Sequence, residues 1–239
     1  LLQAACEYRH PVKTWIKNGT QVHPMSHKFW SLIIVMMCLG EPAKAHPHVF
    51  VDARTGFIFG TDGLLEALHI SWTYDEFTTL ILFESLNLDP DGDGQLNDAD
   101  RAAIIDGETK WSHTYKGDVY LELAGQDYPL GRPEAAAVRL NGNQVEVSFD
   151  LPLLQPVRID NAPVFLRLYD PFYYYAYSIV PPIAHANLPE DCQVQILSFE
   201  PSAAESTLQE KLAALGREDI PAIENIGRLF SDEVQLTCG

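Results

Sequence analysis

Apolar and polar residues alternate along "HVFVDARTGFIF", His48 to Phe59, with Val49, Val51 and Ala53 on one face and His48, Phe50 and Asp52 on the other. That pattern predicts a half-buried strand. "LLEALHISWTY", Leu64 to Tyr74, predicts a second strand after the turn Thr61-Asp62-Gly63. The period then changes. In "DEFTTLILFESLNL" Leu80 and Ile81 follow Phe77 by three and four, and Leu88 follows Ile81 by seven, which predicts a helix. "ADRAAIIDGETKW" predicts a second, shorter helix. From Tyr115 onward strand signals dominate: "DVYLEL", "AAVRLNG", "NQVEVSFDL", "APVFLRLYD", "YYYAYSIV" and "CQVQILSFE". Asn141-Gly142 forms a hairpin turn between two of them. "SAAESTLQEKLAAL" opens on a capping-box pattern, Ser202 to Glu205, and predicts an amphipathic helix. The expected fold is α+β. It is predominantly antiparallel β and sandwich-like, with an EF-hand-like helix-loop-helix insertion and C-terminal helices.

The first forty-five residues follow other rules. "FWSLIIVMMCLG", Phe29 to Gly40, is almost wholly apolar, with Lys28 before it and the small-x-small sequence Ala43-Lys44-Ala45 behind it. Basic flank, apolar stretch and Ala-x-Ala site in that order describe a secretory signal peptide. The apolar run is shorter than the ~20 residues that cross a bilayer; a buried core helix or an uncleaved anchor is the alternative. The expected organisation is therefore an upstream extension over 1–24, a signal peptide over 25–45, and one secreted domain over 46–239, with no membrane span after cleavage. Removal of 1–45 takes away two acids and five bases from totals of 33 and 16, leaving 31 against 11, a net charge of −20. Such a surface repels nucleic acid and anionic membrane and attracts cations. Cys192 and Cys238 remain, and in an oxidising compartment they are expected to form a disulfide; a metal site using both thiolates is the other option, without C-x-x-C spacing to support it.

Two places carry metal-ligand chemistry. "DPDGDGQLNDAD", Asp89 to Asp100, follows the spacing of a calcium loop: Asp89, Asp91, Asp93, the Gln95 carbonyl, Asn97 through water, and Asp100, with Gly94 at the sharp turn and Leu96 as the apolar tether. Asp100 is one methylene shorter than the usual Glu, which weakens Ca²⁺ and favours Mg²⁺ or an outer-shell contact. A solvated acidic turn without an ion is the bland alternative. The second place is "HPH". Cleavage after Ala45 would give His46 a free α-amine, and His48 projects to the same side in an extended chain. Pro47 has no N–H to lose, so these residues would bind through imidazoles and amine, a nitrogen set suited to Zn²⁺, Ni²⁺, Co²⁺ or Cu²⁺. Asp52, Asp75, His113 and Asp170 are candidates to complete or orient that site; a frayed terminus with idle histidines is the alternative. His69 is expected to be structural and His185 an exposed loop residue.

"YDPFYYYAYS", Tyr169 to Ser178, is expected to be a strand buried on one face, with Tyr173, Tyr175 and Tyr177 pointing one way and Tyr174 and Ala176 the other. No G-x-S-x-G, H-E-x-x-H, Gly-rich phosphate loop or Cys-His nucleophile pair occurs, so the chain is read as a non-enzyme. Taken together, "AHPHVFVDA", "SWTYDEF", "DPDGDGQL", "LYDPFYYYAYS" and "IGRLFSDEVQLTC" resemble a family of Gram-negative periplasmic proteins long described only as a component of transport systems. These pieces span the expected mature chain. The resemblance implies a soluble partner of a nickel/cobalt-type inner-membrane permease, with some members tied to zinc uptake. It carries to His46 and His48 as candidate ligands and to the loop from Asp89, where the family often ends in Glu. The expectation is a periplasmic protein for ion transport that binds Zn²⁺, or Ni²⁺ or Co²⁺, at the histidines and Ca²⁺ or Mg²⁺ at the acidic loop. The rival expectation is a calcium-stabilised interaction module that docks on a membrane partner without carrying transition metal.

Overall fold

In the computed structural model, residues 46–160, 162–182, 185–216 and 219–239 are described. The expected extension and signal peptide lie outside them.

Strand β1 (Val49–Phe59) buries Val49, Val51 and Ala53 and leaves Phe50 and Asp52 exposed, as alternation requires. It pairs antiparallel with β2 (Leu65–Tyr74). The hairpin of β5 (Glu134–Asn141) and β6 (Gln144–Val157) turns at Gly142-Asn143, one residue beyond the expected Asn141-Gly142, because Asn141 still pairs with Gln144, and it joins β2 through β6. Strand β8 (Tyr175–Ile179) lies parallel to β1, Val49 opposite Tyr175, and completes a five-stranded sheet in the order β5-β6-β2-β1-β8. A second five-stranded sheet, wholly antiparallel, runs β4 (Gln126–Tyr128), β3 (Val119–Leu123), β7 (Val164–Leu168), β10 (Glu233–Cys238) and β9 (Cys192–Leu197). Inward residues of both sheets, among them Phe57, Ile70, Phe149, Leu121, Leu166 and Leu236, belong to one contiguous apolar core. This is the expected α+β, sandwich-like architecture. Strands β4 and β10 are additions to the expected set.

Helices α1 (Glu76–Leu86) and α2 (Asp98–Thr109) are inserted between β2 and β3. The helical face picked out by spacing is a correction: Phe77 and Leu80 are 69% and 67% exposed. Helix α1 carries apolar residues on nearly every side, so periodicity could not choose a face. The inward side holds Thr79, whose hydroxyl accepts the Val145 N–H at 3.1 Å, with Leu82, Phe83 and Leu86 packed against the core. Helix α3 (Ala203–Ala213) has the expected capping box between Ser202 and Glu205. With a 3₁₀ turn over Ile226–Phe230 it forms a small second cluster of Leu212, Ile226 and Phe230. Two ties close the C-terminal region. Cys192 and Cys238 are disulfide-bonded across paired β9 and β10. Asp232 accepts from Ile179 N on β8 and Phe199 N beyond β9, both at 2.8 Å, and so links the two sheets.

Candidate metal centre

The residues ahead of β1 are held by its parallel neighbour. The N–H groups of His48 and Val49 both donate to the Tyr174 carbonyl, at 2.9 and 3.2 Å. Asp170 positions Tyr174. Its carboxylate accepts from the backbone of Phe172 (3.1 Å), Tyr174 (2.6 Å) and Tyr175 (3.2 Å), and its carbonyl accepts from Tyr173 N. This tight turn carries Tyr173 at φ +57° and sets its ring against Phe230, centroids 4.7 Å apart, in the second cluster and not beside Tyr175 and Tyr177 as alternation predicts. The Tyr174 and Tyr175 rings lie 5.7 Å apart, and those of Tyr175 and Tyr177 stack at 6.2 Å.

Three rings converge there. His46 and His48 lie edge to face with centroids 4.8 Å apart, His48 tilts against Tyr174 at 4.4 Å, and His46 lies 6.0 Å from Tyr174. His46 is 5% exposed, and neither of its ring nitrogens meets a hydrogen-bond partner among the described residues. Burying an unmet imidazole donor and acceptor costs about 1–3 kcal/mol each, so such a ring calls for a partner of another kind. Among the described residues no third His, Cys, Asp or Glu converges on the pair. The four auxiliary candidates have other roles. Asp75 caps α1, accepting Thr78 N at 2.8 Å and Thr78 Oγ1 at 2.7 Å; its second oxygen also accepts Phe50 N at 2.9 Å. Desolvation opposes its ionisation, but these donors outweigh it and hold the carboxyl below its ordinary value. Asp170 is consumed by its turn, Asp52 is exposed on β1, and His113 lines a cavity beside β3.

The acidic loop joins α1 to α2. One oxygen from each of Asp89, Asp91 and Asp93 falls within 4.8 Å of the others. Asp89 accepts the N–H groups of Asp93 (2.9 Å) and Gly94 (3.0 Å). Desolvation works against its charge, and these bonds overcome it and lower its pKa. Gly94 has φ +76° and Leu96 is buried, as the motif predicts. Asn97 and Asp100 stand apart. They form a reciprocal capping box at the start of α2: the Asn97 side chain accepts Ala99 N and Asp100 N, and Asp100 Oδ2 accepts Asn97 N at 2.9 Å. The short Asp100 side chain is thereby turned back to the helix.

Two histidines outside both sites differ in their outcome. His69 binds Asp150 through Nδ1 at 2.6 Å, a structural contact as expected. His185 is half-buried and not exposed: its ring stacks on Phe57, Nδ1 accepts Phe57 N, and desolvation lowers its pKa. Sequence reasoning missed Tyr174 as a neighbour of the histidines. Tyr174 stands just ahead of β8, where alternation has no hold, and the β1–β8 pairing that brings it close is not written in either segment.

Among the described residues no helix is long and apolar enough to cross a membrane. A Haemophilus influenzae protein, described as uncharacterised, is similar to this chain: 24% identical over 214 residues that span 88% of the chain and 99% of the relative. Residues 31–238, which include both candidate sites, match the family described as protein of unknown function, DUF1007, and the chain belongs to that family.

Proposed function

We propose that this protein binds a divalent transition metal, Zn²⁺ first and Ni²⁺ or Co²⁺ next, and works in the periplasm as the soluble partner of a membrane metal permease. The observation that carries this reading is His46: a buried imidazole, both nitrogens without a protein hydrogen bond, its ring against that of His48. A neutral imidazole offers one lone pair to a borderline-soft cation. Two imidazoles leave coordination positions for water, for the His46 α-amine if the chain is cut after Ala45, or for a receiving protein. An incomplete ligand set suits cargo that must be handed on, in contrast to the closed four-ligand sites of structural zinc.

The loop from Asp89 is assigned a separate hard cation, Ca²⁺ or Mg²⁺, because it offers oxygen donors and no imidazole or thiolate. It is a clamp between α1 and α2 and does not carry cargo. Calorimetric titration of protein beginning at His46 with ZnCl₂, in the presence of excess Ca²⁺, tests the assignment. One saturable site is expected, and it is abolished in the His46→Ala/His48→Ala variant. Zinc binding unchanged in that variant, or absent from the parent, overturns it. The convergence of Asp89, Asp91 and Asp93 favours a second reading, a calcium-stabilised interaction module. That reading predicts stabilisation by Ca²⁺ with no Zn²⁺ uptake.

A further inference from the structure

The connection between α2 and β3, the β3–β4 hairpin and the turn after β4 line a half-open cavity of about 410 Å³. Its size falls in the range of small-molecule sites. Four rings, Trp111, Tyr115, Tyr120 and Tyr128, and Leu154 are among the residues that line it, and Tyr120 is backed by Tyr169, stacked at 3.9 Å. The wall is built rigidly. Trp111 Nε1 donates to the Glu108 carbonyl at 2.6 Å, and its ring meets Tyr115 and Phe149 edge to face, each at 5.6 Å. The indole also lies over Gly117, where φ is +70° and a Cβ would fall 2.1 Å from the ring; the position admits no side chain. Leu154, 65% exposed, and Tyr115, 41% exposed, leave apolar surface at the mouth.

The charges around the cavity run against those of the chain, whose net is −17. Lys116, Arg132 and His113 border it, and the carboxylate bordering it, Asp127, lies 3.6 Å from Lys116. The Arg132 guanidinium donates to the Tyr115 carbonyl at 3.2 Å, and among the described residues no ion pair engages it. With Lys116 and Asp127 offsetting each other, the local balance is one positive charge set among aromatic side chains. A monoanion on a flat apolar body matches it; a phosphate dianion would leave charge uncompensated.

We propose that this cavity is a binding site for a small aromatic carboxylate, its flat body held between the rings and its carboxylate on Arg132. The site is separate from the histidines and the acidic loop. The test uses the full chain with ¹⁵N-labelled tryptophan, titrated with indole-3-acetate, neutral 3-methylindole and cationic tryptamine, each followed at the indole N–H resonances. Indole-3-acetate is expected to shift Trp111 saturably and leave Trp72, in the sheet core, unmoved. Tryptamine is expected to bind about tenfold more weakly, the worth of one charge-assisted hydrogen bond. Arg132→Gln should weaken indole-3-acetate by about tenfold and remove its advantage over 3-methylindole, with an unchanged Trp72 resonance showing that the fold is intact. If that variant does not fold, Leu154→Glu places a carboxylate at the exposed mouth and should weaken indole-3-acetate to a similar degree. The proposal is overturned if Trp111 shows no saturable shift, if the acid and the amine bind alike, or if neither substitution weakens the acid.

Discussion

Asp118 shows how strongly a single residue is governed by its surroundings here. The hydroxyls of Tyr115 and Tyr177 donate to its Oδ2 at 3.1 and 2.9 Å. Desolvation, and after it the charge of Asp170, push its carboxyl from the ordinary range up to about 7. A carboxylate raised in the folded state binds its proton more tightly than in the unfolded chain. Its contribution to stability is full below about pH 4 and is lost as pH rises through about 7. Asp118→Asn keeps an acceptor oxygen for the two hydroxyls and removes the titration. Thermal melts should therefore show the variant gaining on the parent between pH 5 and pH 8; parallel curves would refute the assignment. None of this is legible in "KGDVYLE", because Tyr177 comes from a strand fifty-nine residues away. The same holds for His46. Its residue type announced a ligand, but its neighbour Tyr174, 6.0 Å away ring to ring, is brought in by parallel pairing across more than a hundred residues.

At the scale of elements, the acidic loop and its two helices were the most legible part of the chain. The loop motif fixes residues at short range, so Asp89, Asp91, Asp93, Gly94 and Leu96 stand where spacing puts them. Two local features escaped. Asp100 closes a capping box with Asn97, as Glu205 does with Ser202 in α3, so its carboxylate is engaged at the helix start. The buried face of α1 is set by Thr79 and its contact with Val145, which hydrophobic spacing ignores. Three carboxylates held within 4.8 Å repel one another, and a hard cation relieves that. With a weak affinity, on the order of 10⁻⁴ to 10⁻³ M, 10 mM Ca²⁺ should stabilise by about 1.4–2.7 kcal/mol and raise Tm by about 3–10 °C. Asp91→Asn/Asp93→Asn should abolish the rise, and a rise that persists would move the ion elsewhere. Asp75 ties α1 to β1 as cap and as acceptor for Phe50 N. Asp75→Ala should cost about 1–2 kcal/mol in urea unfolding, and Asp75→Asn much less.

Over the whole molecule, alternation and turn signals were enough to predict two largely antiparallel sheets, because most strands are long enough to show a period of two. Strand β4 has three residues, too few for any pattern. Strand β10 follows a 3₁₀ turn and takes its place between β7 and β9 only when the sheet is assembled. Its cysteine was legible, and the bond to Cys192 closes a loop with a sequence separation of 46. The chain-entropy account gives that closure about 4 kcal/mol, so reduction should lower the unfolding midpoint by a comparable amount, and an unchanged midpoint would deny it a structural role. Acidic charge, the disulfide and the paired imidazoles all enter the functional reading, but the imidazoles carry it. X-ray absorption at the zinc edge, on protein loaded with one equivalent of Zn²⁺ in excess Ca²⁺, observes them directly. The account predicts the scattering signature of two imidazoles with Zn–N near 2.0–2.1 Å, lost in His46→Ala/His48→Ala. A shell of oxygens alone, or an imidazole signature that survives the double substitution, would contradict it.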